Sequence, residues 1–276
     1  VMGVCYTIGN IRRRFLLTLA FSHNPTPYED VNAILHVLAT KVRAILDSQF
    51  VGLYLYGSLS LGDFDPASSD VDFLVVTEDT LPEKMLEQLC EMHATIAASG
   101  MRYAHYLEGS YIPRQALWCY DPSNALHPTI GVDWPFQVAL HGCDWIIQRH
   151  IVREHGVVVG GPAPATLLAP VLSQELQAAV RTIIQDDWQS RIEDVAWLSP
   201  RNYQAFAILT CCRIHHTLQC GRVSSKLQAA MWAQTMYPQW KPSIEKALMW
   251  RSQYEKDDVT ETQIFLREAL RLALEL

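Results

Sequence analysis

The chain has 276 residues, long enough for two domains of roughly 100–150 residues each. Hydrophobic residues make up 49% and charged residues 18%, which excludes a disordered or fibrous polypeptide. Lys and Arg number 22 against 29 Asp and Glu, a net charge of −7 that disfavours a nucleic-acid backbone as partner and suits a cationic small molecule.

Cys5, Cys90, Cys119, Cys143, Cys211, Cys212 and Cys220 form no CxxC pair and are odd in number. They are expected to be reduced thiols in a cytoplasmic protein, with neither a disulfide framework nor a zinc site. No apolar run approaches the about 20 residues of a membrane span, so no membrane partner is expected. Arg12 to Arg14 precede the apolar run Phe15 to Phe21, a faint imitation of a signal peptide without a clear cleavage site. Residues 1–25 are therefore expected to be an N-terminal extension, closed by Asn24-Pro25-Thr26-Pro27.

From Tyr28 to about Ser48, Val31, Ile34, Leu35, Leu38, Val42 and Leu46 recur at helical spacing. Val51 to Tyr56 is expected as a buried strand, Leu59 to Leu61 as one helical turn, Asp63 to Ser69 as loop, and Val71 to Thr77 as a second strand. A helix follows over 82–98, with Thr80 as N-cap and Glu83 completing a capping box. Tyr103 to Ile112 is expected as a third strand, 113–135 as a long loop and 137–155 as a helix. Gly160-Gly161-Pro162 marks the domain boundary. Beyond it only helices are expected, at about 173–189, 201–220, 224–237, 241–254 and 259–275. The fold class is α+β: residues 26–162 form a small mixed sheet flanked by helices, and residues 163–276 form an all-α bundle.

The chemistry is concentrated in Gly57-Ser58, an eleven-residue gap, and Asp70-Val71-Asp72. Apolar runs flank it, Leu53 to Tyr56 before and Phe73 to Val76 after. Alternation along a strand aims Asp70 and Asp72 the same way, about 7 Å apart. Two carboxylates at the head of an otherwise buried strand are costly unless a cation lies between them. Mg²⁺ suits them, because it takes one or two carboxylates together with substrate phosphates. Gly57 permits close backbone approach to a phosphate, and Ser58 adds a hydroxyl donor.

The stretch YGSLSLGDFDPASSDVDFLVV, residues 56–76, resembles the signature of the polymerase-β-type nucleotidyltransferases. It is most similar to the aminoglycoside adenylyltransferases of the streptomycin/spectinomycin type. Cys212-Arg213-Ile214 with Ser225-Lys226 resembles that family's ATP-contacting helical elements, and Gly160-Gly161-Pro162 its interdomain turn. The resemblance covers about residues 28–250. It implies transfer of AMP from ATP to a hydroxyl of an aminoglycoside, giving antibiotic resistance. Gly57, Ser58, Ser69, Arg213 and Lys226 would bind the nucleotide, and Asp70, Asp72 and Glu108 would hold the metal.

Deprotonating the acceptor needs a base. Glu108, 36 residues after Asp72, matches the spacing of the family's catalytic glutamate; Asp121 and Asp133 are the alternatives. A polycationic acceptor calls for carboxylates and aromatic faces. Asp186-Asp187-Trp188, Glu193-Asp194 and Trp197 offer both, with Trp188 and Asp194 the chosen contacts, although the spacing from here to Cys212 is about one helical turn longer than in the family. An acidic helix end with its Trp in the core remains the structural alternative. Trp118, Asp133 and Trp134 are a second possible wall. His215 and His216 lack metal spacing and are assigned a structural role. ATP and a small polycation are the expected partners of a monomer. Action on a protein or another small-molecule hydroxyl, or nucleotide binding without turnover, stays open.

Overall fold

The computed structural model describes residues 21–22 and 24–276. The Arg12–Arg14 run and most of the proposed extension lie outside the described residues. Phe21 and Ser22 already belong to the folded body. Phe21 meets the Phe50 ring edge-on at 5.8 Å, and the Ser22 N–H donates to the Val159 carbonyl at 2.9 Å.

The first half is a sheet covered on both faces. In chain order it comprises α1 (Glu29–Leu46), β1 (Phe50–Leu55), α2 (Gly57–Leu61), β2 (Val71–Thr77), α3 (Glu83–Ala97), β3 (Leu107–Pro113), α4 (Arg114–Trp118), β4 (Leu126–Ile130), β5 (Gln137–Leu140), α5 (Asp144–His155) and β6 (Val157–Gly160). The sheet order is β5-β4-β3-β2-β1-β6; β2 and β3 are parallel and every other pair is antiparallel. The apolar stripe of α1 is fully buried: Val31, Ile34, Leu35, Leu38, Val42 and Leu46 pack with α3 against Leu53, Leu55, Phe73 and Val75. Tyr54, Leu74, Val76 and Ile112 point to the opposite face, onto Leu117, Trp145, Ile151 and Val152 of α4 and α5. This period of two is why β1 and β2 carry continuous apolar runs: both faces are covered.

The second half is helical: α6 (Ser173–Ile183), a π-helical turn (Ile184–Trp188), α7 (Gln189–Glu193), α8 (Val195–Leu198), α9 (Arg201–Cys220), α10 (Lys226–Met236), α11 (Lys241–Trp250) and α12 (Thr260–Leu274). The long α9 is its axis and packs on α6, α10, α11 and α12. His215 on α9 is buried, its two ring nitrogens meeting the Tyr237 hydroxyl at 3.0 Å and the Ala269 carbonyl at 2.7 Å. His216 meets the Arg222 carbonyl at 3.2 Å, so both histidines brace the bundle. Leu167 and Leu168, beyond the Gly160–Pro162 turn, still pack on the sheet.

Four sequence expectations need correction. The third strand starts at Leu107 rather than Tyr103; residues 102–105 form a turn, with Tyr103 at φ +67°. The expected loop 113–135 holds α4 and β4, because His127 and Thr129 turn inward between β3 and β5. The expected helix 137–155 is split at Gly142 into β5 and α5, since Gln137–Leu140 pair with β4. Thr80 is not the cap of α3: Pro82 holds that position, and no side chain caps the helix.

Candidate active site

β1 ends at Leu55, and Gly57 turns the chain with φ +60°, a left-handed conformation that a residue bearing Cβ enters at a cost. A Cβ at Gly57 would lie 1.9 Å from Asp72 Oδ2, so glycine is required by space as well. Gly57→Ala is therefore expected to displace the Asp72 carboxylate and lower kcat by at least about 10²-fold, the scale of an ångström-sized misplacement. Steady-state kinetics of the soluble variant checks this. Ser58 lies in the single turn of α2, which Gly62 closes at φ +70°. In the following loop Asp65 accepts from the Ala67 N–H at 3.0 Å and the Ser68 hydroxyl at 2.9 Å. The Ser69 hydroxyl accepts the Asp65 N–H at 3.0 Å, a bond that braces this loop.

The loop delivers Asp70 and Asp72 to β2. Parallel pairing sets Asp72 directly beside Glu108 of β3. The three carboxylates act on one another. Burial holds Asp72 well above the usual carboxylate range, and the negative Glu108 and Asp70 raise it further. Glu108 is pushed up to about 7 by burial, then by Asp70 and Asp133. Burial raises Asp70 as well, opposed by Lys226. Among the described residues no three His, Cys, Asp or Glu side chains close into a complete metal cage. A pair of carboxylates completed by phosphate oxygens needs no such cage.

The opposite wall is cationic and comes from the helical half. Arg213 projects from the middle of α9, and Lys226 is the first residue of α10. Burial pulls Lys226 down to about 8, assisted by Arg213 and opposed by Asp72. Arg213 is likewise lowered by burial, with Asp72 and Asp63 opposing. Among the described residues neither cation closes an ion pair, although Lys226 Nζ lies 4.8 Å from the centre of the Phe206 ring. Carboxylates on one side and cations on the other leave the charges to be matched by a ligand carrying phosphates and a metal.

The other expected residues are dispersed. Trp188, expected against the acceptor, is 4% exposed inside the helical core, in one cluster with Ile184, Ile192 and Leu198. Trp188→Ala is expected to cost about 3–5 kcal/mol of stability in chemical denaturation and to leave the acceptor KM unchanged. Asp194 is exposed but caps α8, accepting the Trp197 N–H at 3.0 Å. Asp121 caps a 3₁₀ turn through Ser123 at 2.8 Å, and these bonds hold it below the usual range. Asp133 reaches the site: it raises Glu108 and accepts from the Tyr203 hydroxyl at 3.4 Å. Trp134 covers Gly131 close by, whereas Trp118 follows the far end of β3.

Nothing in the sequence marks Asp63, Asp144, Tyr203 or Arg251. Asp144, in the first turn of α5, adds to the field that raises the buried Tyr56 phenol and is itself coupled to Asp187. Each is an ordinary polar residue without a motif, and only pairing across the chain reveals it.

A model of the nucleotidyltransferase domain matches residues 39–113, and one of the aminoglycoside adenylyltransferase C-terminal domain matches residues 166–275. A spectinomycin 9-adenylyltransferase of Staphylococcus aureus is 27% identical, covering 71% of this chain and 75% of its own. An aminoglycoside (3'') (9) adenylyltransferase of Klebsiella pneumoniae is also 27% identical, covering 73% and 78%. The fold matches a spectinomycin adenyltransferase from Enterococcus faecialis, solved with ATP and spectinomycin, at TM-score 0.68 and 18% identity over 88% of this chain and 99% of that one. The GS-to-DxD turn lies in the stretch that matches the nucleotidyltransferase domain, and Arg213 and Lys226 lie in the stretch that matches the aminoglycoside adenylyltransferase C-terminal domain.

Proposed function

We propose that this chain transfers AMP from ATP to a hydroxyl of an aminoglycoside antibiotic and so gives resistance to it. One observation carries the proposal: Asp72 and Glu108 stand side by side on parallel strands behind Gly57, facing Arg213 and Lys226. The relatives' names give the acceptor class. Residues 26–162 are the nucleotidyltransferase domain in this proposal and 163–276 the helical domain, with the site between them. The free thiols Cys90, Cys119, Cys143, Cys211, Cys212 and Cys220 suit the reducing cytoplasm. Among the described residues no helix is long and apolar enough to cross a membrane.

The donor set fits Mg²⁺: two carboxylates at the head of one strand, Asp70 just before β2 and Asp72 on it, with a glycine whose missing Cβ admits the Asp72 carboxylate against the turn. Asp70 and Asp72 would hold it, with Glu108 beside them. When bound, Mg²⁺ would offset the charge on the phosphate oxygens. The chain's own groups do the rest. Gly57, Ser58 and Ser69 line the turn that receives the phosphates, and Arg213 and Lys226 neutralise them from the helical side. Glu108 takes the proton of the acceptor hydroxyl. The acceptor oxygen bonds to the α-phosphorus as the bond from that phosphorus to the β-bridging oxygen breaks, and pyrophosphate departs. Placement and charge stabilisation supply the acceleration. The acidic residues Asp133, Asp144 and Asp187 around the site suit the ammonium groups of the acceptor.

The test is pyrophosphate release from Mg-ATP with streptomycin, spectinomycin, kanamycin or no acceptor. Release above the blank with one of them supports the proposal and names the acceptor. Release that needs a protein or an unrelated hydroxyl compound replaces the aminoglycoside with that class.

A further inference from the structure

Asp63 follows Gly62, the residue that ends the single turn of α2. Its N–H donates to the Ser58 carbonyl at 3.0 Å, so it is tied to the phosphate turn. Its carboxylate reaches across to the helical half. Oδ2 accepts the Leu227 N–H of α10 at 3.0 Å, and Oδ1 accepts from Arg251 Nη1 at 3.2 Å. Arg251 Nη2 also donates to the Asp63 carbonyl at 3.4 Å. With side-chain exposures of 9% for Asp63 and 20% for Arg251, this is the most enclosed ion pair among the described residues.

The position of α10 explains the need for such a pair. Ser225 caps the helix from within, accepting the Gln228 N–H at 3.2 Å. The Leu227 N–H is left to Asp63, which acts as a second cap from another part of the chain. A negative group at a helix N-terminus is favourable, whereas Lys226 in the same turn is not. Arg213 and Arg251 both repel Lys226. Three cations thus converge where the triphosphate is assigned, and without a counter-charge they would spread apart.

We propose that Asp63 is a positioning residue of the nucleotide site: it holds Arg251 and the first turn of α10, and through them seats Lys226 against the Asp70–Asp72 pair. This rests on the assignment of that site to Mg-ATP. Asp63 touches neither the reacting atoms nor the metal ligands; it fixes the separation of the two charged walls before the nucleotide arrives.

Calorimetric titration with Mg-ATP tests it on the full chain, for wild type, Asp63→Asn, Asp63→Ala, Asp63→Glu, Arg251→Ala and the Asp63→Ala/Arg251→Ala double variant. Asp63→Ala is expected to raise the Kd about tenfold, as expected for a lost charge-assisted contact. Asp63→Glu should recover part of this. The double variant should bind no more weakly than the weaker single variant, because the two residues act as one unit. At saturating Mg-ATP, kcat should stay near wild type, so the defect lies in the nucleotide KM. A purely structural role gives the other pattern: fewer binding sites per chain, a lower kcat and an unchanged Kd, which overturns the proposal. If Asp63→Ala does not fold, Asp63→Asn, which keeps the acceptor oxygen, supplies the comparison. Wild type that fails to bind Mg-ATP removes the nucleotide site and this proposal together. Wild type that binds, with every variant equal to it, removes the role of Asp63 alone.

Discussion

Asp72→Asn is expected to lower kcat/KM for AMP transfer by about 10³-fold, the equivalent of several kcal/mol of lost charge stabilisation at the phosphates, and to raise the melting temperature of the ligand-free protein. Both effects come from one cause. Asp72 is buried beside Glu108 and Asp70, so its carboxyl titrates well above the usual range. Between its unfolded value of about 4 and that raised native value, the native state binds more protons than the unfolded state. Stability therefore falls as pH rises through this window and is recovered as pH falls. Asparagine carries no charge to bury. The variant should melt higher than wild type at pH 8, and the gap should close toward pH 4. Added Mg²⁺ should raise the melting temperature of wild type and not of the variant. A variant that melts lower than wild type at pH 8 would show that the carboxylate is already compensated within the protein.

Glu108→Gln is the second large effect. Loss of a general base is expected to lower kcat by about 10²–10⁴-fold, while Mg-ATP binding persists through Asp70, Asp72, Arg213 and Lys226. The pH profile separates this from a loss of packing. Glu108 titrates at about 7 in the ligand-free protein, raised by burial, Asp70 and Asp133. Only the carboxylate can accept a proton, so kcat/KM should rise with pH, bend at about 7 and level off above it. The bend in kcat should lie lower, because bound cations offset the neighbouring carboxylates. The Gln variant should lose the bend. A bend that survives in Glu108→Gln would assign the base elsewhere, and Asp133 is the nearest group to test.

The legible parts of this protein were those in which local pattern and global environment agree. The stripe of α1 and the two apolar runs of β1 and β2 announce their burial by period, and α6 and α9–α12 announce theirs in the same way. Gly57, Asp70, Asp72, Glu108, Arg213 and Lys226 carry a motif or a spacing, and the structure brings them together from two separate cores. What the sequence hid was set by pairing. Gln137–Leu140 has the composition of a helix start, yet β4 captures it as an edge strand. Trp188 beside two aspartates has the look of a binding stretch, but the π-helical turn carries its ring inward while Asp186 and Asp187 stay exposed. Asp63 sits in a loop without periodicity, and its partners Leu227 and Arg251 lie 164 and 188 residues away.

The parallel pairing of β2 and β3 has an evolutionary consequence. Parallel neighbours need a long crossover, here the segment with α3, so the sequence distance between Asp72 and Glu108 is set by the return path. That path can lengthen or shorten without moving either carboxylate. The distance from Asp70 to Asp72 has no such freedom, since a shift of one residue would turn a side chain to the other face of the sheet. Distant homologues are then best recognised by a rigid two-step acidic pair and a glutamate whose offset drifts, anchored by strand register instead of by residue count.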